Sequence, residues 1–164
     1  MLLAYVDESY TASHYWIAAL VCPQADLVPV TDALDAVVAK AAATYGGISE
    51  QAELHGYPLL HGAGEWSALK PMVRARIGIY NDALAAIGAS GARILIRGVH
   101  RKRLEARYVE PKHPHAVVLE HLLERIDEHA ADRNDQALVI ADEVDQADQY
   151  RRALWHSQRF ATSG

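Results

Sequence analysis

One cysteine, Cys22, stands in 164 residues. It cannot close an internal disulfide, and no cysteine-based zinc motif exists. A reducing cytoplasm is the compartment that usage suggests. No apolar run approaches the roughly 18 residues a membrane span needs. No basic segment with an apolar core and a cleavage site opens the chain, so a secretory leader is not expected. The phosphate-cradling G-x-x-x-x-G-K-[ST] loop is missing, which removes an ATPase reading of Asp142-Glu143-Val144-Asp145. Gly46-Gly47 and Gly62-Ala63-Gly64 are too short and wrongly placed for a dinucleotide fingerprint. No Ser-His-Asp arrangement accompanies Ser9, so it reads as a turn residue. The formal net charge of −5 does not advertise nucleic-acid binding. Repeats, low-complexity tracts and domain linkers are also lacking.

What is present suits one α/β domain. The apolar fraction of 51% argues against disorder, and the length supports a core. Strands and helices alternate. Leu2 to Val6 and Tyr15 to Val21 read as a hairpin turning across Ser9 to His14. Thr31 or Asp32 can cap a helix running to Tyr45, ended by Gly46-Gly47. Residues 46 to 65 read as a loop. Pro71 fits a first helical position. Val73, Ile77, Tyr80, Leu84 and Ile87 then form an apolar stripe expected to face the core, closed by Gly88. Arg93 to Val99 reads as a strand. Pro114 to about Ala130 reads as a helix with Val118, Leu119, Leu122, Leu123 and Ile126 inward. His113-Pro114-His115 reads as its entry turn. Ala137 to Ala141 reads as a strand, and Asp145 caps a last helix from Gln146 to about Gln158. The order predicts a mixed sheet with helices on its faces. Trp16, Trp66 and Trp155 read as core or interface residues.

One pattern occurs twice. Leu2-Leu3-Ala4-Tyr5-Val6 ends in Asp7-Glu8, and Ala137-Leu138-Val139-Ile140-Ala141 ends in Asp142-Glu143. Short continuous apolar runs of this kind suit buried strands. Ligands of such sheets gather at the strands' carboxyl ends. If the two strands lie side by side and parallel, their acids converge. Like charges at short range repel, and a divalent cation relieves the repulsion. The competing reading is that each aspartate only ends a strand and caps the following turn. Neighbouring strand residues point to opposite faces, so one acid of each pair faces away.

Basic residues are segregated. Arg93, Arg97, His100, Arg101, Lys102, Arg103, Arg107 and Lys112 fall in one stretch, and Arg151, Arg152 and Arg159 form a second group. They read either as a solvated loop after a strand or as a phosphate-tracking patch. In the second reading Arg97, Arg101, Lys102 and Arg103 are the nucleic-acid-binding candidates.

Tyr5-Val6-Asp7-Glu8-Ser9, Glu53-Leu54-His55 and Val139-Ile140-Ala141-Asp142-Glu143, in that order, resemble domain-of-unknown-function family 3800. This is a family of bacterial and phage proteins with a ribonuclease-H-like fold. The resemblance covers nearly the whole chain. It implies a metal-dependent nuclease, with Asp7, Glu53 and Asp142 as the acidic cluster and Glu8, His55 and Glu143 flanking it. Asp7, Glu53, Asp142 and His55 would then be catalytic, and Mg²⁺ or Mn²⁺ would be the metal. Members of the family continue into a helix with a Gln-x-x-Asp motif, which is not found before Gly164. The resemblance therefore implies that a C-terminal segment and a fourth acid are lacking. The last helix is then expected to leave Leu154 and Trp155 exposed or buried in a homodimer. The alternative reading is a non-catalytic ribonuclease-H-like interaction protein that binds a host protein or a nucleic acid.

Overall fold

A computed structural model describes residues 1–141 of the chain. Asp142, Glu143, the helix expected over 146–158, and the Leu154/Trp155 surface lie outside the described residues. The chain divides into two compact units. The first combines Met1–Cys22 with the chain from Ile94 onward, and the second is Pro23–Arg93. No linker marks the division in the sequence because the second unit leaves and re-enters at strand ends.

In the first unit, β1 (Leu2–Tyr10) and β2 (His14–Pro23) form the expected hairpin. Its turn is closed by the Thr11 amide donating to the His14 carbonyl at 2.9 Å. Three helices of the second unit intervene, α1 (Leu27–Tyr45), α2 (Gly56–His61) and α3 (Val73–Gly88), and then come β3 (Arg93–His100), α4 (Arg101–Arg107), α5 (Pro114–Ala131) and β4 (Ala137–Ala141). The sheet order is β3-β2-β1-β4. β4 runs parallel to β1, with Leu2 opposite Ala137 and Val6 opposite Ala141. The adjacency expected from the twin motifs is therefore present. The result is a mixed, ribonuclease-H-like α/β sheet flanked by helices.

α5 covers one face of this sheet. Its buried residues His115, Val118, Leu122, Ile126 and Ala130 follow helical spacing. They meet Leu2 and Ala4 of β1 and Tyr15, Ile17, Ala19 and Val21 of β2, joined by Val6, Leu95, Val99 and Ala137. The strand residues between these therefore belong to the opposite face. On that face Tyr5, Trp16, Ile94, Ile96, Leu138 and Ile140 all remain exposed. His113 caps α5 by accepting the His115 amide at 3.3 Å, and Pro114 follows, where its missing N–H is no loss.

The second unit contains α1 (Leu27–Tyr45), α2 (Gly56–His61), a 3₁₀ segment (Gly64–Leu69) and α3 (Val73–Gly88). α1 begins before the expected cap, because Pro29 is tolerated in a helix's first turn. The expected loop over 46–65 folds in part into α2. Its core gathers Val38, Ala41, Ile48, Ala52, Leu59, Trp66, Leu69 and Ile79. Lys40 and Asp82 join α1 to α3 at 2.8 Å.

The apolar stripe of α3 is a correction. Val73, Ile77, Tyr80 and Leu84 are exposed, and the helix buries Arg76 and Ile79 instead. The Arg76 guanidinium donates to the carbonyls of Leu60 and Lys70. Those carbonyls lie in or beside short helical segments, where a cation complements unsatisfied C=O groups.

Candidate functional site

The carboxyl ends of β1 and β3 and the β1–β2 turn lie at one end of the first unit's sheet, since the strands on either side of β2 run opposite to it. Two observations fix the β2–β3 alignment. The rings of His14 and His100 are 4.8 Å apart, edge to face, and Gly98 lies against Trp16. Tyr10 stacks on Tyr15 at 5.8 Å, which fixes the β1–β2 alignment.

Tyr15 belongs to the α5 face, so Tyr10, Glu8 and Val6 share that face by strand alternation. Asp7 falls on the other, open face. It is exposed, and its Oδ1 accepts the Glu8 amide at 2.8 Å. Asp7 and Glu8 therefore do not present their carboxylates to a common face. The open face carries His14, Trp16, Asp7 and Ser9 near the turn. Trp16 is diagonal to Asp7, a relation in which side chains on a sheet are about 7–8 Å apart. Of the two readings of Trp16, core or interface, the core one is corrected: the residue is 44% exposed, whereas Trp66 is buried at 1%. Trp155 lies outside the described residues.

Within the basic stretch, Arg93 and Arg97 lie in β3, Arg101–Arg107 form a helix in place of a loop, and Lys112 lies in the irregular chain after it. α4 starts where β3 ends, and the Arg101 amide donates to the Ser13 carbonyl at 2.9 Å. The Arg101 Nη1 reaches the Thr11 carbonyl at 3.4 Å, and His100 Nδ1 accepts the Arg103 amide at 3.4 Å. These bonds hold the helix on the hairpin turn. Lys102 and Arg103 are exposed. Arg97 is half-buried on the α5 side, with its Nη1 donating to the Ile96 carbonyl. Arg107 lies over the Tyr108 ring at 5.9 Å, a cation–π contact.

Glu53 and His55 belong to the second unit. Both are exposed. The backbone of Glu53 is pinned from both sides. Its carbonyl accepts the Trp66 indole N–H at 2.8 Å, and its amide donates to Glu65 Oε2 at 3.1 Å. His55 precedes α2, and its carbonyl accepts the Leu59 amide at 3.0 Å.

Asp7 is an exposed oxygen donor inside β1, three residues before the strand's end at Tyr10, and a carboxylate oxygen suits a hard divalent cation. Among the described residues, no three of His, Cys, Asp and Glu come together as a metal-ligating group. Asp142 and Glu143, the acids of the second twin motif, lie outside them. No helix among the described residues is long and apolar enough to cross a membrane. Comparison with protein families, with curated proteins and with solved structures found no match.

Proposed function

We propose that this protein is a metal-dependent phosphodiester hydrolase acting on nucleic acid, with Asp7 and Asp142 as its principal ligands. One observation carries the reading. The parallel register of β1 and β4 reaches Val6 and Ala141, and the next residue of each sequence is an aspartate. The order of motifs that resembles family 3800 also supports it. A bound Mg²⁺ or Mn²⁺ would activate water and stabilise the leaving oxygen. Asp7 would hold the cation on the open face. Lys102 and Arg103 would offset the charge of the substrate's phosphates.

The second reading is a ribonuclease-H-like scaffold that binds a host protein or a nucleic acid without cutting. Metal dependence separates the two. Saturating Mn²⁺ at about 100 times its dissociation constant stabilises a folded site by about 2.7 kcal/mol. The wild-type protein should show that rise in melting temperature, together with Mn²⁺-dependent cleavage of DNA or RNA. Asp7→Asn should lose both, with a metal-free melting temperature unchanged or higher. A wild-type protein indifferent to Mn²⁺ removes the hydrolase reading.

A further inference from the structure

We propose that the open sheet face around Trp16 is a stacking platform for single-stranded nucleic acid. This rests on nucleic acid being the ligand class given above, and not on catalysis. The indole lies over Gly98, such that a Cβ at residue 98 would fall among Cε3, Cζ3 and Cδ2 of the ring. Glycine on the neighbouring strand is what lets the ring settle onto the sheet, while 44% of the residue stays exposed. The His14 ring is nearly parallel to it, at 5.7 Å and 16°. His100 closes on His14 from β3. The turn end of the face is thus lined by rings.

The surroundings select the occupant. Tyr5 and Ile96, further along the same face, are exposed and apolar. An apolar, aromatic surface matches the faces of unpaired bases, which a duplex keeps stacked inside. Beside it, α4 contributes Arg101, Lys102 and Arg103. Among the described residues, none of the three is in an ion pair with a carboxylate. Unpaired cations beside stacking rings complement a polyanion whose bases are free.

The test measures binding of a labelled 12-nucleotide oligo(dT), oligo(U) and a 12-base-pair duplex by fluorescence anisotropy, in EDTA so that nothing is cleaved. Single strands should bind at least tenfold more tightly than the duplex. Trp16→Ala should weaken binding by about 5- to 150-fold, the range for loss of one stacking partner, and Trp16→Phe should restore part of it. Gly98→Val, which fills the indole's seat, should weaken binding in a protein whose circular dichroism stays native. Lys102→Ala with Arg103→Ala should flatten the salt dependence of log Kd by about 1.4. Equal or tighter duplex binding overturns the platform, as does unchanged affinity in Trp16→Ala. Self-association abolished by Trp16→Ala, with no oligonucleotide bound, overturns it in favour of a dimer. Failure of Mn²⁺-dependent cleavage with binding retained sinks only the hydrolase. Cleavage that persists without EDTA-resistant binding sinks only the platform.

Discussion

Tyr15 and His115, one hundred residues apart in the chain, share a buried hydrogen bond of 2.8 Å between the Tyr15 hydroxyl and His115 Nδ1. The two rings also meet edge to face at 5.8 Å. The contact fixes α5 to β2 at the end of the sheet that carries the turn.

Burial, followed by the nearby His113, pushes the His115 pKa below its ordinary value. The fold therefore favours the neutral imidazole. The unfolded chain takes up the proton near pH 6.5 and the folded chain only at lower pH. Stability from this group is full above about pH 6.5 and is lost as pH falls toward the folded-state pKa. Melting temperatures between pH 7.5 and 5 should fall more steeply for the wild type than for His115→Phe. Identical slopes would show that His115 is not a linked group.

Tyr15→Phe keeps the ring and removes the hydroxyl. The loss of one buried hydrogen bond should lower stability by about 0.5–1.5 kcal/mol, read from denaturant midpoints at constant slope.

Leu122 is fully buried at the centre of α5's packed face. Leu122→Ala should cost about 2–5 kcal/mol, because the site gains a cavity as well as losing apolar burial. A loss below about 1 kcal/mol would mean that α5 does not pack on the sheet as described.

Two glycines of the second unit separate strain from crowding. Gly62 and Gly46 both have positive φ, at 62° and 66°. A Cβ at Gly62 would lie 2.6 Å from the Lys70 Cα, whereas none of its neighbours crowds Gly46. Gly46→Ala should cost about 1–3 kcal/mol from backbone strain alone, since φ 66° with ψ 161° is a conformation that essentially only glycine adopts. Gly62→Ala should cost clearly more, because backbone must move. Equal costs in thermal melts would show that the α2 terminus is not held against Lys70.

Much of the sheet was legible in the residues. Apolar runs with β-branched and aromatic character marked all four strands, and the spacing of Val118, Leu122 and Ile126 marked the face of α5. Local chemistry suffices for these. Where the signal was ambiguous, packing decided. The stripe from Val73 to Leu84 has helical spacing, yet α3 buries Arg76, whose guanidinium satisfies two carbonyls that periodicity does not register. The basic run from Arg101 to Arg107 carries no apolar period, and it forms a helix capped by the adjacent His100 and tied to Ser13, a residue that a local window does not weigh.

The sequence by itself determined that two apolar runs end in acids, and the repetition of that motif was enough to expect neighbouring parallel strands. Only the tertiary structure decided which side of the sheet Asp7 occupies. Strand alternation separates Asp7 from Glu8, but the choice of side depends on where α5 lies, and that is set by long-range contacts such as Tyr15 with His115. Trp16 was hidden for the same reason. A tryptophan in an apolar strand reads as core, and only the alignment of β2 on β3, with glycine at position 98, places its ring on an open face.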